Sequence, residues 1–128
     1  MNVLSRGSSV FFAAALLAGP VLAAPTEAEM NYVISQVHPG WLAIVAAQGV
    51  QPQAVDIALT IEQNGRVVTA RLANSEDRYD SDAKFRISAD AAVRAVLRAS
   101  PLHVPPTHPE FFKNNPDLIV TFDPRSMR

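Results

Sequence analysis

Three histidines, His38, His103 and His108, are the only imidazoles in the 128-residue chain, and Glu110 follows two residues after the last of them. Imidazole and carboxylate are zinc-ligand types, but a zinc site needs them to converge from helical or hairpin spacing. Pro105, Pro106 and Pro109 instead hold this segment extended. A small metal-binding protein or enzyme using His103, His108 and Glu110 is therefore the secondary reading. Asp77, Asp80 and Asp82 lie in EDRYDSD, which has the acidic density of a calcium loop. It also has a basic residue inside and lacks the glycine and terminal glutamate such a loop requires, so a helix-capping loop is expected. No serine sits in a nucleophile elbow, no cysteine is present, and no glycine-rich loop could cradle a phosphate. Trp41 could stack on a ligand; packing in a core is the expectation for it. The residue chemistry thus points to a non-enzymatic protein with no metal and no cofactor.

Apolar residues make up 48% of the chain and charged residues 18%, the balance of one packed domain. The first residues have the layout of an export signal. Arg6 is basic, Val10–Leu17 is apolar, Gly19-Pro20 breaks the run, and Val21-Leu22-Ala23 fits the small-residue cleavage rule. Cleavage after Ala23 is expected, since cleavage after Ala24 would leave Pro25 first. Residues 1–23 are accordingly expected to be a signal peptide and 24–128 an exported domain. The alternative is an uncleaved membrane anchor. Against it, the uncharged span from Ser8 to Ala24 is shorter than the roughly 20 apolar residues that cross a bilayer, and Pro20 interrupts it. Without Arg6, 10 basic residues face 12 acidic ones. That balance excludes electrostatic recruitment to nucleic acid, and membrane association is expected only if the signal is retained.

The elements that must position any site read as helix, strand, strand, helix, strand. Thr26-Glu27-Ala28-Glu29 is a capping box opening a helix with Met30, Val33, Ile34 and Val37 on one face. Pro39-Gly40 should end or kink it near His38, with a second short helical turn around Trp41 to Val45. Ala54–Glu62 alternates as a half-buried antiparallel strand, and Asn64-Gly65 suits a type I′ turn. Arg66–Ala73 returns with Val68, Ala70 and Leu72 on one face. Asn74–Asp82 reads as a polar loop whose Ser81 or Asp82 caps a helix from Ala83 to about Ala99. In that helix Phe85, Ala89, Ala92, Val93, Val96 and Leu97 form the apolar stripe, and Asp90 can pair with Arg86 and Arg94. Glu110–Lys113 suits one more turn, and Leu118, Val120 and Phe122 alternate in a third strand. Handedness of the crossover places the first strand in the middle, giving an α+β fold with sheet order 2-1-3 and two edge strands.

Trp41 after a first helix, the Gln63-Asn64-Gly65-Arg66-Val67 turn, the Phe85…Ala92-Val93-Arg94-Ala95-Val96…Ser100-Pro101-Leu102 helix, Val104-Pro105-Pro106, and Ile119-Val120-Thr121-Phe122-Asp123-Pro124 occur here in that order. The ordered set, spanning about Glu29 to Met127, resembles the C-terminal domain of the TolA family in its alphaproteobacterial form, and more distantly that of TonB. The resemblance implies helices packed on a three-stranded antiparallel sheet, and a periplasmic binding module meeting TolB-like or Pal-like envelope proteins. It also implies that a partner strand adds to the edge formed by Leu118, Ile119, Val120, Thr121 and Phe122. Outward side chains such as Ile119 and Thr121 would then set selectivity, and Val120→Pro would remove an edge amide. Family members couple to their motor through a serine-x-x-x-histidine membrane helix and a long stalk. No histidine precedes His38 here, so a free-standing adaptor or competitor is expected; with the signal retained as an anchor, the resemblance implies a short-tethered energy transducer instead.

Overall fold

The computed structural model describes residues 24–126; the expected signal peptide lies outside the described residues. The elements are α1 (Glu27–Ser35), α2 (His38–Ala47), β1 (Val55–Ile61), β2 (Val67–Leu72), α3 (Glu76–Ser81), α4 (Ala83–Ala99), α5 (Phe111–Asn114) and β3 (Asp117–Phe122). The three strands form one antiparallel sheet in the order β2-β1-β3. The fold is α+β, with helices packed on the sheet face carrying Val55, Ile57, Leu59 and Ile61. No helix among the described residues is long and apolar enough to cross a membrane.

α1 begins where expected. The Thr26 hydroxyl accepts from the Glu29 amide at 3.1 Å, and the Glu29 carboxylate accepts from the Thr26 amide at 2.9 Å. The interruption comes earlier than Pro39-Gly40, at Gln36-Val37, and a full second helix starts at His38. Pro39 lies in that helix's first turn, where amides have no intrahelical acceptor and a missing N–H costs nothing. α2 seats Trp41 at the centre of the core. The Trp41 indole Nε1 donates to the Ser88 carbonyl of α4 at 3.0 Å, and its ring lies 5.3 Å from that of Phe122. One side chain thereby joins α2, α4 and β3.

The hairpin differs from the type I′ expectation. Gly65 alone has positive φ, 92°, and its amide donates to the Glu62 carbonyl at 2.8 Å. A three-residue loop results, closed by the Glu62 amide donating to the Arg66 carbonyl. A β-carbon at Gly65 would also collide with the Leu102 carbonyl, because the Leu102 amide donates to the Gly65 carbonyl at 2.8 Å. The turn is pinned to the exit of α4. A bulge follows: Ile61 pairs with Val67 but Thr60 with Thr69, so Val68 is the extra residue. Val67 is buried and Val68 is 45% exposed, so Val68 leaves the face expected for it, while Ala70 and Leu72 pack half-buried against the core.

Two further expectations are revised on the helical side. The segment Asn74–Asp82 holds α3, whose polar sequence has no apolar stripe. Tertiary contacts hold it: the Arg78 guanidinium lies 4.3 Å above the Phe85 ring, and the Tyr79 hydroxyl donates to Asp90 at 2.9 Å. Asp90 therefore answers Tyr79, not Arg86 or Arg94, and Arg86 donates to the Tyr79 carbonyl. α4 begins at Ala83, with the Asp82 carboxylate accepting from the Lys84 and Phe85 amides. Its buried residues include Phe85, Ala89, Ala92 and Val96, whereas Leu97 is 49% exposed.

Candidate functional site: the outer edge of β3

β3 hydrogen-bonds to β1 alone, so its other side is an edge of the sheet. Antiparallel ladders alternate between residue pairs that exchange both backbone bonds and pairs whose N–H and C=O point away from each other. The Ile61 amide donates to the Pro116 carbonyl at 2.8 Å, and the register runs from Thr60 opposite Asp117 to Val55 opposite Phe122. Leu118, Val120 and Phe122 therefore turn their backbone groups toward β1. Asp117, Ile119 and Thr121 turn theirs outward.

Of the five expected edge residues, the structure thus divides three from two. Leu118, Val120 and Phe122 bury their side chains in the core and spend their amides on the β1 ladder. Ile119 and Thr121 carry the free edge, and Asp117, which sequence reasoning passed over, joins them. Among the described residues, no group bonds the Ile119 or Thr121 backbone on the outer side. Val120→Pro would consequently break the sheet rather than test the edge; Ile119→Pro is the informative change. The missing signal was the phase of the ladder, which depends on the Pro116–Ile61 bond and not on the alternation of side chains.

Both ends of this edge are closed. At one end the chain turns away through Pro116; at the other, His38 Nε2 donates to the Asp123 carbonyl at 3.0 Å. His38 is buried, with its ring 5.4 Å from that of Trp41, so it is structural. Beside the open segment the Ile119 side chain is 60% exposed, flanked across the sheet by Ala58. Polar bonds brace its neighbours: Thr121 Oγ1 donates to Asp56 at 2.7 Å and Thr60 Oγ1 to Asp117 at 3.1 Å.

The residues considered for metal chemistry do not assemble. No group of three histidine, cysteine, aspartate or glutamate side chains among the described residues could hold a metal ion. His103 is tied through its backbone to the Gln36 side-chain amide, 2.8 and 2.9 Å apart. His108 Nδ1 donates to Glu29 at 2.8 Å, while Asn114 Nδ2 donates to His108 Nε2 at 3.1 Å. Glu110 pairs at 3.9 Å with Lys113. Both ring nitrogens of His108 are thus engaged in fastening α1 to the loop before β3. The Thr26 amide and then the His108 ring hold the Glu29 carboxyl below its ordinary range. Asp82 is the α4 cap and makes a 3.5 Å ion pair with Arg78.

Comparison with known protein families, with curated proteins and with solved structures finds no match for this chain.

Proposed function

We propose that the protein is a non-enzymatic periplasmic binding module of the TolA C-terminal type, which receives an extended partner segment as a fourth strand on β3. The observation that carries this reading is the outward-facing backbone of Ile119 and Thr121 next to the exposed Ile119 side chain. Backbone bonding supplies affinity in strand addition, and alternate side chains supply selectivity. A TolB-like or Pal-like envelope protein is the proposed partner, and cell-envelope integrity or transport is the setting, both by the resemblance described above. Export through residues 1–23 belongs to the same proposal.

The test is amide hydrogen exchange on the protein alone and with TolB-like and Pal-like proteins. Without a partner, Ile119 and Thr121 should exchange rapidly and Leu118 and Val120 slowly; a partner should slow the first pair. Ile119→Pro should abolish that binding while preserving the fold, because proline is tolerated on an edge strand. Binding that is equal in the parent and Ile119→Pro would refute the edge reading.

A further inference from the structure

Asn64, at the tip of the β1–β2 hairpin, is the one asparagine of the chain followed by glycine. The order matters chemically. The backbone nitrogen after an asparagine can close a succinimide ring on that asparagine's Cγ, and with glycine there no β-carbon obstructs the approach.

In this turn the two reacting groups stand in opposite states. Asn64 is exposed, and its Oδ1 accepts from the Arg66 amide at 2.9 Å. A donor aimed at that oxygen polarises Cγ and stabilises the oxyanion that forms on attack. Gly65, in contrast, is buried. Its N–H, which carries the nucleophilic nitrogen, donates to the Glu62 carbonyl at 2.8 Å, and its carbonyl accepts from the Leu102 amide at 2.8 Å. The Leu102 carbonyl fills the space beside its α-carbon. The electrophile is thus open and activated, while the nucleophile is engaged and shielded from solvent base.

We propose that Asn64-Gly65 is a spontaneous deamidation site that the folded turn restrains and that converts when the hairpin parts from the exit of α4. In the reaction the Gly65 nitrogen loses its proton to solvent base and bonds to Asn64 Cγ. The Cγ–Nδ2 bond breaks, and the side-chain nitrogen takes up a proton and leaves as ammonia. Water then opens the succinimide. Addition at Cγ gives aspartate; addition at the main-chain carbonyl carbon gives isoaspartate, whose backbone runs through Cβ and Cγ. Water is consumed and ammonia released, with no oxidant, reductant or cofactor.

Both products loosen the same join. Isoaspartate lengthens the three-residue loop by one methylene, which displaces Gly65 from Leu102. Either product adds a carboxylate near Glu62, which already pairs with Arg66 at 2.8 Å. The bond from the Val67 amide to Ser100 Oγ, 3.0 Å long, depends on the same register. Conversion therefore frees β2 from the end of α4, and loss of ammonia makes the change one-way. The inference stands on the hairpin and the α4 exit and is independent of the reading of β3.

Incubating the full chain in mildly alkaline buffer, with and without denaturing guanidinium chloride, tests it. Peptide mapping by mass spectrometry counts isoaspartate and aspartate at position 64. Conversion should be at least about tenfold slower in the folded protein, since it waits on local opening. Across the parent and Ser100→Ala, its rate should rise in proportion to exchange of the Gly65 amide. Asn64→Gln should abolish the products at that position. In converted protein, exchange at Leu102 and Val67 should accelerate while Ile119 is unchanged. The proposal is overturned if Asn64 converts equally fast folded and unfolded, or fails to convert in denaturant. It is also overturned if the rate does not follow Gly65 exchange, or if converted protein keeps the parent's exchange at Leu102.

Discussion

The two edges of this sheet offer the same backbone chemistry in different settings. On β3, outward amides alternate with buried side chains, and Ile119 is the large apolar side chain exposed on that strand. On β2, outward amides lie beside a groove lined by Ala89, Asp90 and Val93 of α4 and by Glu76 and Asp80 of α3. An edge without a wall can discriminate partners chiefly through hydrogen-bond register and the few side chains near it. An edge with a wall can read side chains on one face of the incoming strand as well. The difference originates in α4, which packs against β1 and β2, while α1 contacts β3.

Three changes would sharpen or break this contrast. The largest effect is expected from Gly65→Ala. Gly65 has positive φ and its hydrogen bond to Leu102 leaves no room for a β-carbon. Loss of about 2–4 kcal/mol in chemical denaturation is expected. In the remaining folded protein, amide exchange should accelerate on β2 before it does on β3, because the turn registers β2 against the end of α4. Equal stability in parent and variant would mean that the turn is not held as described.

Ser100→Ala is expected to cost less, about 1–2 kcal/mol, by leaving the partly buried Val67 amide without its acceptor. Hydrogen exchange should accelerate at Val67 and stay unchanged at Ile119. Acceleration at both edges would show that they are not independent.

Acidification should act on both sides of the molecule through different carboxylates. Asp82, lowered chiefly by the Phe85 amide, caps the helix beside β2; Glu29, lowered chiefly by the Thr26 amide, caps α1. A carboxyl lowered in the folded state contributes stability that is full above its unfolded pKa and disappears as pH falls through the folded one. Stability should therefore decline below about pH 4.5, near the ordinary carboxylate values. Asp82→Asn and Glu29→Gln should each remove part of that slope, with amide exchange rising in α4 for the first and in α1 for the second. An unchanged slope in both would exclude these caps as its source.

Strand β1 and the bounds of α4 were legible from sequence because each rests on a local pattern, and the sheet order followed from crossover handedness. Val55 to Ile61 alternates strictly, and Asp82 stands directly before an apolar periodic run. What escaped reading depends on contacts between elements. α3 lacks an apolar stripe and is stabilised through Phe85 and Asp90. Val68 was expected on one face with Ala70 and Leu72, but the bulge beside Thr60 and Ile61 makes Val67 the buried residue. The β3 edge was found as a stretch, but which of its amides are free depends on the ladder with a strand some sixty residues earlier. The groove beside β2 was invisible for the same reason, since its lining combines residues of β2, α3 and α4.

That long-range pairing also has a temporal meaning. β1 is the central strand, yet its second neighbour is β3, and the core contact between Trp41 and Phe122 joins residues near opposite ends of the domain. A chain delivered N-terminus first can close the β1–β2 hairpin and wind α4, but it exposes one side of β1 until Asp117–Phe122 arrives. Such a chain remains threadable through most of its delivery and locks only with its final strand, so a truncation before Asp117 should leave a persistent, association-prone edge in place of a smaller folded domain.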